Sequence, residues 1–274
     1  MVGRAGAVRP CGPLSPACAA RAPMELRPVC HSGRMHSPDP LLMAAAGLGA
    51  GRRARLAVSR LYVCTDLQRF LRPDGTLDTA AFAHFCAAAF RGGVDLIQVR
   101  DKAVDVAVEL AAFAVLVPLA REHGALSAAN DRADVAALAG VDVFHTGQTD
   151  LTTAQCRALL GPNVVLGRSC HTEAQVRAAR AEDGLDYFCT GPVWATPTKP
   201  GRAAVGLELP SLAARLDAED PAGARPWFAI GGVDAERLTE VRAAGADRIV
   251  VVRAVTQAED PEAAARTLRA GLPG

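Results

Sequence analysis

"GVDLIQVRDK", Gly93–Lys102, follows an Ala-rich stretch and runs Val94, Leu96, Ile97 and Val99 almost without a break. A near-continuous apolar run of this length suits a strand buried on both faces, and the glycine ahead of it suits a helix C-terminus. The same Gly-x-Asp corner returns as GVD at 140–142, GLD at 184–186 and GAD at 245–247, each time just before another apolar run. It reads as a common helix-to-strand corner.

Working outward from these corners gives eight candidate strands: 60–65, 94–100, 125–129, 141–146, 164–169, 185–191, 227–232 and 247–253. Ala-rich stretches separate them, most ending in glycine and several opening on Asp, Thr or Ser as helix caps. Eight strand–helix units in ~220 residues imply an all-parallel sheet closed into a (β/α)8 TIM barrel over residues 56–274. An open doubly wound sheet is the runner-up, but no GxGxxG follows the first strand. Residues 1–55 are Ala/Gly/Pro/Arg-rich, lack strand or helix periodicity and are expected to form a disordered extension, an over-extended gene start or both. An Arg-rich transit peptide competes with that reading, although the scattered prolines disfavour a targeting helix.

Composition narrows the function. Residues 1–55 carry eight arginines against Glu25 and Asp39, whereas the rest has 22 basic against 27 acidic residues. The barrel is therefore mildly acidic, which argues against nucleic acid as a partner. No apolar run is long enough to span a bilayer. The eight cysteines form no CxxC pair, so a reduced cytoplasmic setting is expected. A homo-oligomer stays open.

In a barrel of this kind the residues just after the strands meet at one mouth, so polar groups of chemical interest should gather there. They do. Gln98, Arg100 and Lys102 follow strand two with one parity, which on an extended backbone sends all three to one side and suits an anion such as pyrophosphate. Asn130 and Asp131 follow strand three, and His145, Gln148 and Asp150 follow strand four. Asp131 and Asp150 either cap the helices behind them or together hold Mg²⁺ beside a phosphate. His145 is expected to orient neighbours rather than ligate a metal. After strand five, Ser169 and Thr172 either cap a helix or, for Ser169, donate to a phosphate or a ring nitrogen.

The chain has 28 arginines and only two lysines, Lys102 and Lys199. Lys199 lies after strand six in "TPTKP", where Pro192, Pro197 and Pro200 would hold Thr196, Thr198 and Lys199 as a stiff anion clamp; the bland alternative is a rigid surface loop. Gly231 and Gly232 after strand seven, and the helix start after strand eight, fall where barrels place a phosphate. Two anion sites result, one with metal carboxylates and one without.

In this order "QVRDK", "ANDRADVAALAGVDVFHTGQTDL", "GRSCHT", "DYFCTGPVWATPTKPG" and "AIGGVDAERLTEVRAAGAD" resemble the thiamine-phosphate synthase family, in its actinobacterial form, over roughly residues 58–270. The resemblance implies an Mg²⁺-dependent transferase. Its substrates would be 4-amino-2-methyl-5-(diphosphooxymethyl)pyrimidine and 4-methyl-5-(2-phosphooxyethyl)thiazole, joined with release of pyrophosphate. It also implies roles: Gln98, Arg100, Lys102, Asn130 and Ser169 on the pyrimidine side; Asp131 and Asp150 as metal ligands; Thr196, Thr198, Gly232, Val252 and Arg253 around the thiazole phosphate. Lys199 would touch the pyrophosphate between the halves, and Arg100, Lys102 and Lys199 would stabilise it as it leaves. Arg253 stands where the family commonly has Ser, Asp101 where Glu is usual and Thr146 where Leu is usual. A thiazole tautomerase of the same fold, lacking the full pyrophosphate and metal set, and a regulatory protein that binds thiamine phosphate without turnover are the alternatives.

Overall fold

The computed structural model describes residues 40–196 and 203–274. Residues 1–39 and, within the proline-framed loop, Pro197, Thr198, Lys199 and Pro200 lie outside the described residues. The described chain begins with helix α1 (Pro40–Val58) and then alternates strand and helix. The order is β1 (Leu61–Thr65), α2 (Thr79–Arg91), β2 (Leu96–Val99), α3 (Val106–Glu122), β3 (Leu126–Asn130), α4 (Ala133–Ala139), β4 (Val143–Thr146), α5 (Thr153–Leu160) and β5 (Val165–Cys170). It continues with α6 (Glu173–Ala181), β6 (Tyr187–Thr190), α7 (Glu208–Glu219), β7 (Trp227–Ile230), α8 (Leu238–Ala243), β8 (Ile249–Val251), α9 (Arg253–Thr256) and α10 (Pro261–Ala270). Each strand pairs in parallel with the next, and β8 closes onto β1. The expected TIM barrel is therefore the observed fold.

The strands that follow a Gly-x-Asp corner start later than the apolar runs suggested, because that corner is not strand. Gly93, Gly140, Gly184 and Gly245 all have positive φ, a left-handed turn that glycine adopts without steric cost. The aspartate then clips the foot of the preceding strand. Asp95 Oδ2 accepts from the Arg60 and Leu61 amides at 2.7 and 2.9 Å, Asp142 Oδ2 from the Ser127 amide at 3.0 Å, and Asp186 Oδ2 from the Leu166 amide at 2.8 Å. Asp247, the fourth, is solvent-exposed.

Side chains alternate along every strand. Leu61, Val63, Ile97, Ala129, Phe144 and Leu166 face the helices in one apolar layer, while Tyr62, Leu96, Leu126, Val143, Val165, Tyr187, Phe228 and Val250 fill the barrel. Gly167 makes room inside: a Cβ there would overlap the Tyr187 ring.

Helix α1 starts at Pro40, inside the stretch 1–55 expected as an extension, and its last two turns pack on the barrel. Leu56, 1 % exposed, joins the interior cluster and plugs the strand N-terminal end. Arg52 Nε meets Asp142 Oδ1 at 2.8 Å and Arg53 Nε meets Asp186 Oδ1 at 2.7 Å, so the corner aspartates also fasten this helix. Its glycines read as helix breakers. Gly49 instead allows close approach, because a Cβ there would come within 2.7 Å of Asn163 Oδ1.

Candidate active site

The inward parity of the strands decides what reaches the mouth. Following Leu96, Leu126, Val143 and Val165 up the barrel gives Gln98, Asn130, His145 and Ser169, all buried. Thus four of the residues singled out in the sequence point inward near the strand C-terminal ends, Gln98 and His145 from the even strands and Asn130 and Ser169 from the odd ones.

Gln98 is tied down from two sides: its Nε2 donates to Tyr62 Oη at 2.7 Å and its Oε1 accepts from Cys64 Sγ at 3.3 Å. Arg100 continues the ladder through its amide to the Thr65 carbonyl. The parity argument fails one step later, because β2 ends at Val99 and the chain bends through 102–104. Asp101 makes that bend, accepting from the Ala103 amide at 2.8 Å and the Leu67 amide at 3.0 Å. Partial burial pushes its carboxyl up, but the amides of Ala103 and Leu67 outweigh this and hold it below the usual range. Turned by the bend, Lys102 meets Asp131 rather than Asp101: Nζ lies 2.8 Å from Asp131 Oδ2.

Neither carboxylate serves as a helix cap. The residue capping α4 is Arg132, and α5 is capped by Thr152 in a capping box with Gln155. Asp131 instead has φ 60, the only positive φ outside glycine among the described residues, and its amide donates to the His145 carbonyl at 3.0 Å. The Asp150 carboxylate folds back onto the Gly147 amide at 2.6 Å. Both sit at the ends of neighbouring strands and offer hard oxygen ligands. No cluster of three or more His, Cys, Asp or Glu suited to a metal exists among the described residues. A cation here would take its remaining ligands from substrate and water, a pattern that fits Mg²⁺. Glu109 of α3, absent from the sequence reading, is buried near this group, and burial pushes its carboxyl up.

Ser169 does not cap α6; Thr172 does, accepting from the Gln175 amide. Ser169 Oγ lies 2.9 Å from His145 Nε2, whose Nδ1 is 3.0 Å from Tyr187 Oη. Tyr187 Oη is 3.4 Å from Tyr62 Oη, which closes a buried polar chain back to Gln98. Burial pushes both phenols well above their ordinary pKa, so both keep their protons. The sequence reading missed these tyrosines. Their signal was compositional: the chain has only two, and both stand at inward strand positions.

On the other half of the mouth a cavity of about 340 Å³ is bounded by Ser169, Thr196, Gly231, Gly232, Val252 and Arg253, among others. Gly231 and Gly232 have φ 101 and 71, and a Cβ on either would press on Pro192 or Trp194. Arg237 fixes this wall, donating to the Gly232 carbonyl at 2.8 Å while its guanidinium lies 5.0 Å from the centre of the Trp194 ring. Val252 is the residue capping α9, and Arg253 opens that helix, exposed at the rim. The structure thus gathers Ser169, Thr196, Gly232, Val252 and Arg253 around one cavity and pairs Lys102 with Asp131 where β2 and β3 end.

Known proteins resemble this chain in sequence and in fold. The family model described as thiamine monophosphate synthase matches residues 62–255. A thiamine-phosphate synthase of Arthrobacter sp. (strain FB24) is 51 % identical over 237 residues, covering 80 % of this chain and 97 % of the relative. One of Saccharopolyspora erythraea is 52 % identical over 229 residues, covering 82 % and 97 %. Among solved structures, thiamine phosphate pyrophosphorylase of Pyrococcus furiosus aligns with TM-score 0.65 at 29 % identity, covering 80 % of this chain and 96 % of that one.

Proposed function

The chain belongs to the thiamine monophosphate synthase family, and from that premise we propose how its barrel mouth divides the work between two substrates. It is an enzyme of thiamine biosynthesis, a transferase that joins 4-amino-2-methyl-5-(diphosphooxymethyl)pyrimidine to 4-methyl-5-(2-phosphooxyethyl)thiazole. The pyrimidine methylene C–O bond breaks with its electron pair leaving on pyrophosphate. The thiazole nitrogen supplies the pair for the new C–N bond, giving thiamine phosphate.

Such a reaction needs a stabilised leaving group more than a general base. Gln98, Asn130 and Ser169 line the pyrimidine side. Arg100, Lys102 and Lys199 act on the charge that develops on pyrophosphate, as preorganised donors do. Lys199 enters on its sequence position alone. Asp131 and Asp150 hold Mg²⁺, which when bound supplies charge neutralisation for the diphosphate; Mn²⁺ also favours such oxygen ligands. The Lys102–Asp131 pair keeps both groups in place meanwhile. Thr196, Thr198, Gly232, Val252 and Arg253 hold the thiazole phosphate, with backbone N–H groups near Gly232 and α9 and the Arg253 guanidinium as donors.

The observation that carries this reading is the Lys102–Asp131 contact, since it brings a cation that follows β2 and a carboxylate that follows β3 together at the strand C-terminal ends. The cytoplasm is the proposed setting: the described cysteines are all buried thiols, and no described helix is long and apolar enough to cross a membrane. The test is pyrophosphate release from the purified chain with both phosphorylated halves and Mg²⁺, repeated with EDTA and with Lys199→Ala. Release that stops in both controls supports it. Conversion of a thiazole tautomer without Mg²⁺, or binding of thiamine phosphate with no release, would replace it with a tautomerase or a sensor.

A further inference from the structure

We infer that Tyr187 and His145 are positioning residues that turn the Ser169 hydroxyl into a hydrogen-bond donor at the cavity wall, with the direction set across the barrel by Cys64 and Gln98. The starting point is the Gln98 amide. Sulfur is a weak acceptor but an S–H can donate, so the amide is better placed with Oε1 toward Cys64 and Nε2 toward Tyr62, the arrangement observed at 3.3 and 2.7 Å. Tyr62 Oη then accepts a hydrogen bond from Gln98 and turns its own proton toward Tyr187 Oη, 3.4 Å away.

Tyr187, receiving from Tyr62, passes its hydroxyl proton toward His145 Nδ1 at 3.0 Å. An imidazole that accepts at Nδ1 carries its proton on Nε2. That Nε2–H donates to Ser169 Oγ at 2.9 Å, and the serine proton is left to point into the cavity that Ser169 lines. Reversing the amide reverses every link and leaves Ser169 an acceptor. The chain thus fixes which kind of ligand atom the wall favours: a lone pair, such as a ring nitrogen of a heteroaromatic substrate. Only that last identification rests on the synthase reading.

The phenol is removable without a large change in shape. The Tyr187 ring packs edge-on against Phe228, with centroids 5.8 Å apart, and occupies the space opened by Gly167. Tyr187→Phe keeps both contacts.

The test is ¹⁵N-histidine NMR of the full chain near pH 7.5, with the His145 signals identified by their loss in His145→Gln. The expected result is a neutral ring protonated at Nε2 in the wild type and a tautomer mixture in Tyr187→Phe. That variant should also lose roughly fivefold in kcat/KM for the pyrimidine substrate, the scale of one neutral hydrogen bond. Tyr62→Phe should shift the same signals, so the inference does not depend on one variant folding. A wild-type His145 protonated at Nδ1, or Tyr187→Phe matching wild type in spectrum and rate, overturns it. Should the protein release no pyrophosphate while His145 carries its proton on Nε2, the synthase reading falls and the chain's direction stands.

Discussion

Lys102 Nζ and Asp131 Oδ2 lie 2.8 Å apart, joining the ends of β2 and β3 through a residue held at φ 60. A left-handed backbone costs a non-glycine residue of order 1 kcal/mol or more, and it persists where surroundings over-determine it. The His145 carbonyl that accepts the Asp131 amide is one such restraint.

Function and strain can be separated here by Asp131→Gly. Glycine relieves the backbone but adds freedom to the unfolded chain, so the two effects roughly offset and the melting temperature is expected to stay within about 2 °C. Turnover should fall by ~10²-fold or more, as for removal of a preorganised electrostatic group. A large drop in melting temperature measured by calorimetry would instead make Asp131 a structural residue.

Helix α1 gives a stability prediction remote from the mouth. Leu56→Ala empties the plug of the barrel and should cost ~2–4 kcal/mol in denaturant unfolding. Rates with both substrates should change less than about twofold, since Leu56 sits at the opposite end of the strands. A chain starting at residue 59 also loses the Arg52–Asp142 and Arg53–Asp186 pairs and should melt below one starting at residue 40.

Glu109 supplies a pH dependence with a definite sign. Burial pushes its carboxyl up, and Asp101, Asp134 and Asp131 add to the shift while Arg132 opposes it. In the folded state the proton is therefore bound more tightly than in the unfolded chain. Below the ordinary value near 4.5 both states are protonated and the group costs nothing. Stability falls as pH rises through the unfolded and then the folded pKa, and the loss is complete above the latter. Glu109→Gln should accordingly raise the melting temperature near pH 7.5 and leave it unchanged near pH 3.5. An equal gain at both would trace the effect to packing.

How far the sequence reached follows from the range of the forces involved. All eight strands were legible, because burial on both faces leaves an apolar run whatever else the residues do. The starts of those behind a Gly-x-Asp corner were not, since Asp95, Asp142 and Asp186 commit their carboxylates to amides of a different strand. Helix α1 was illegible because Gly49 answers to Asn163, over a hundred residues away. Ser169 and Asn130 could be placed by inward alternation, but Lys102 could not, because an Asp101 turn breaks the period. The Tyr62–Tyr187–His145 chain joins residues from three strands, which no local pattern records.

Arg253 is the position where this chain departs furthest from what the family resemblance implies, and its variant divides two ways of holding a phosphate. The side chain is exposed at the rim, yet the residue lines the cavity together with Gly232 and Val252. If the guanidinium grips the thiazole phosphate, Arg253→Ala removes a charge-assisted contact made equally in ground and transition states. KM for the thiazole phosphate should then rise by ~10-fold, with kcat and the pyrimidine KM within about twofold. The wild-type KM should also climb with salt more steeply than the variant's, because an exposed charge is screened within ~10 Å at 0.1 M. Steady-state kinetics in low and high salt read both effects. Equal KM values for the two proteins would leave the phosphate to the backbone N–H groups of the Gly232 turn and α9, where the family's usual serine, too, would need no charge.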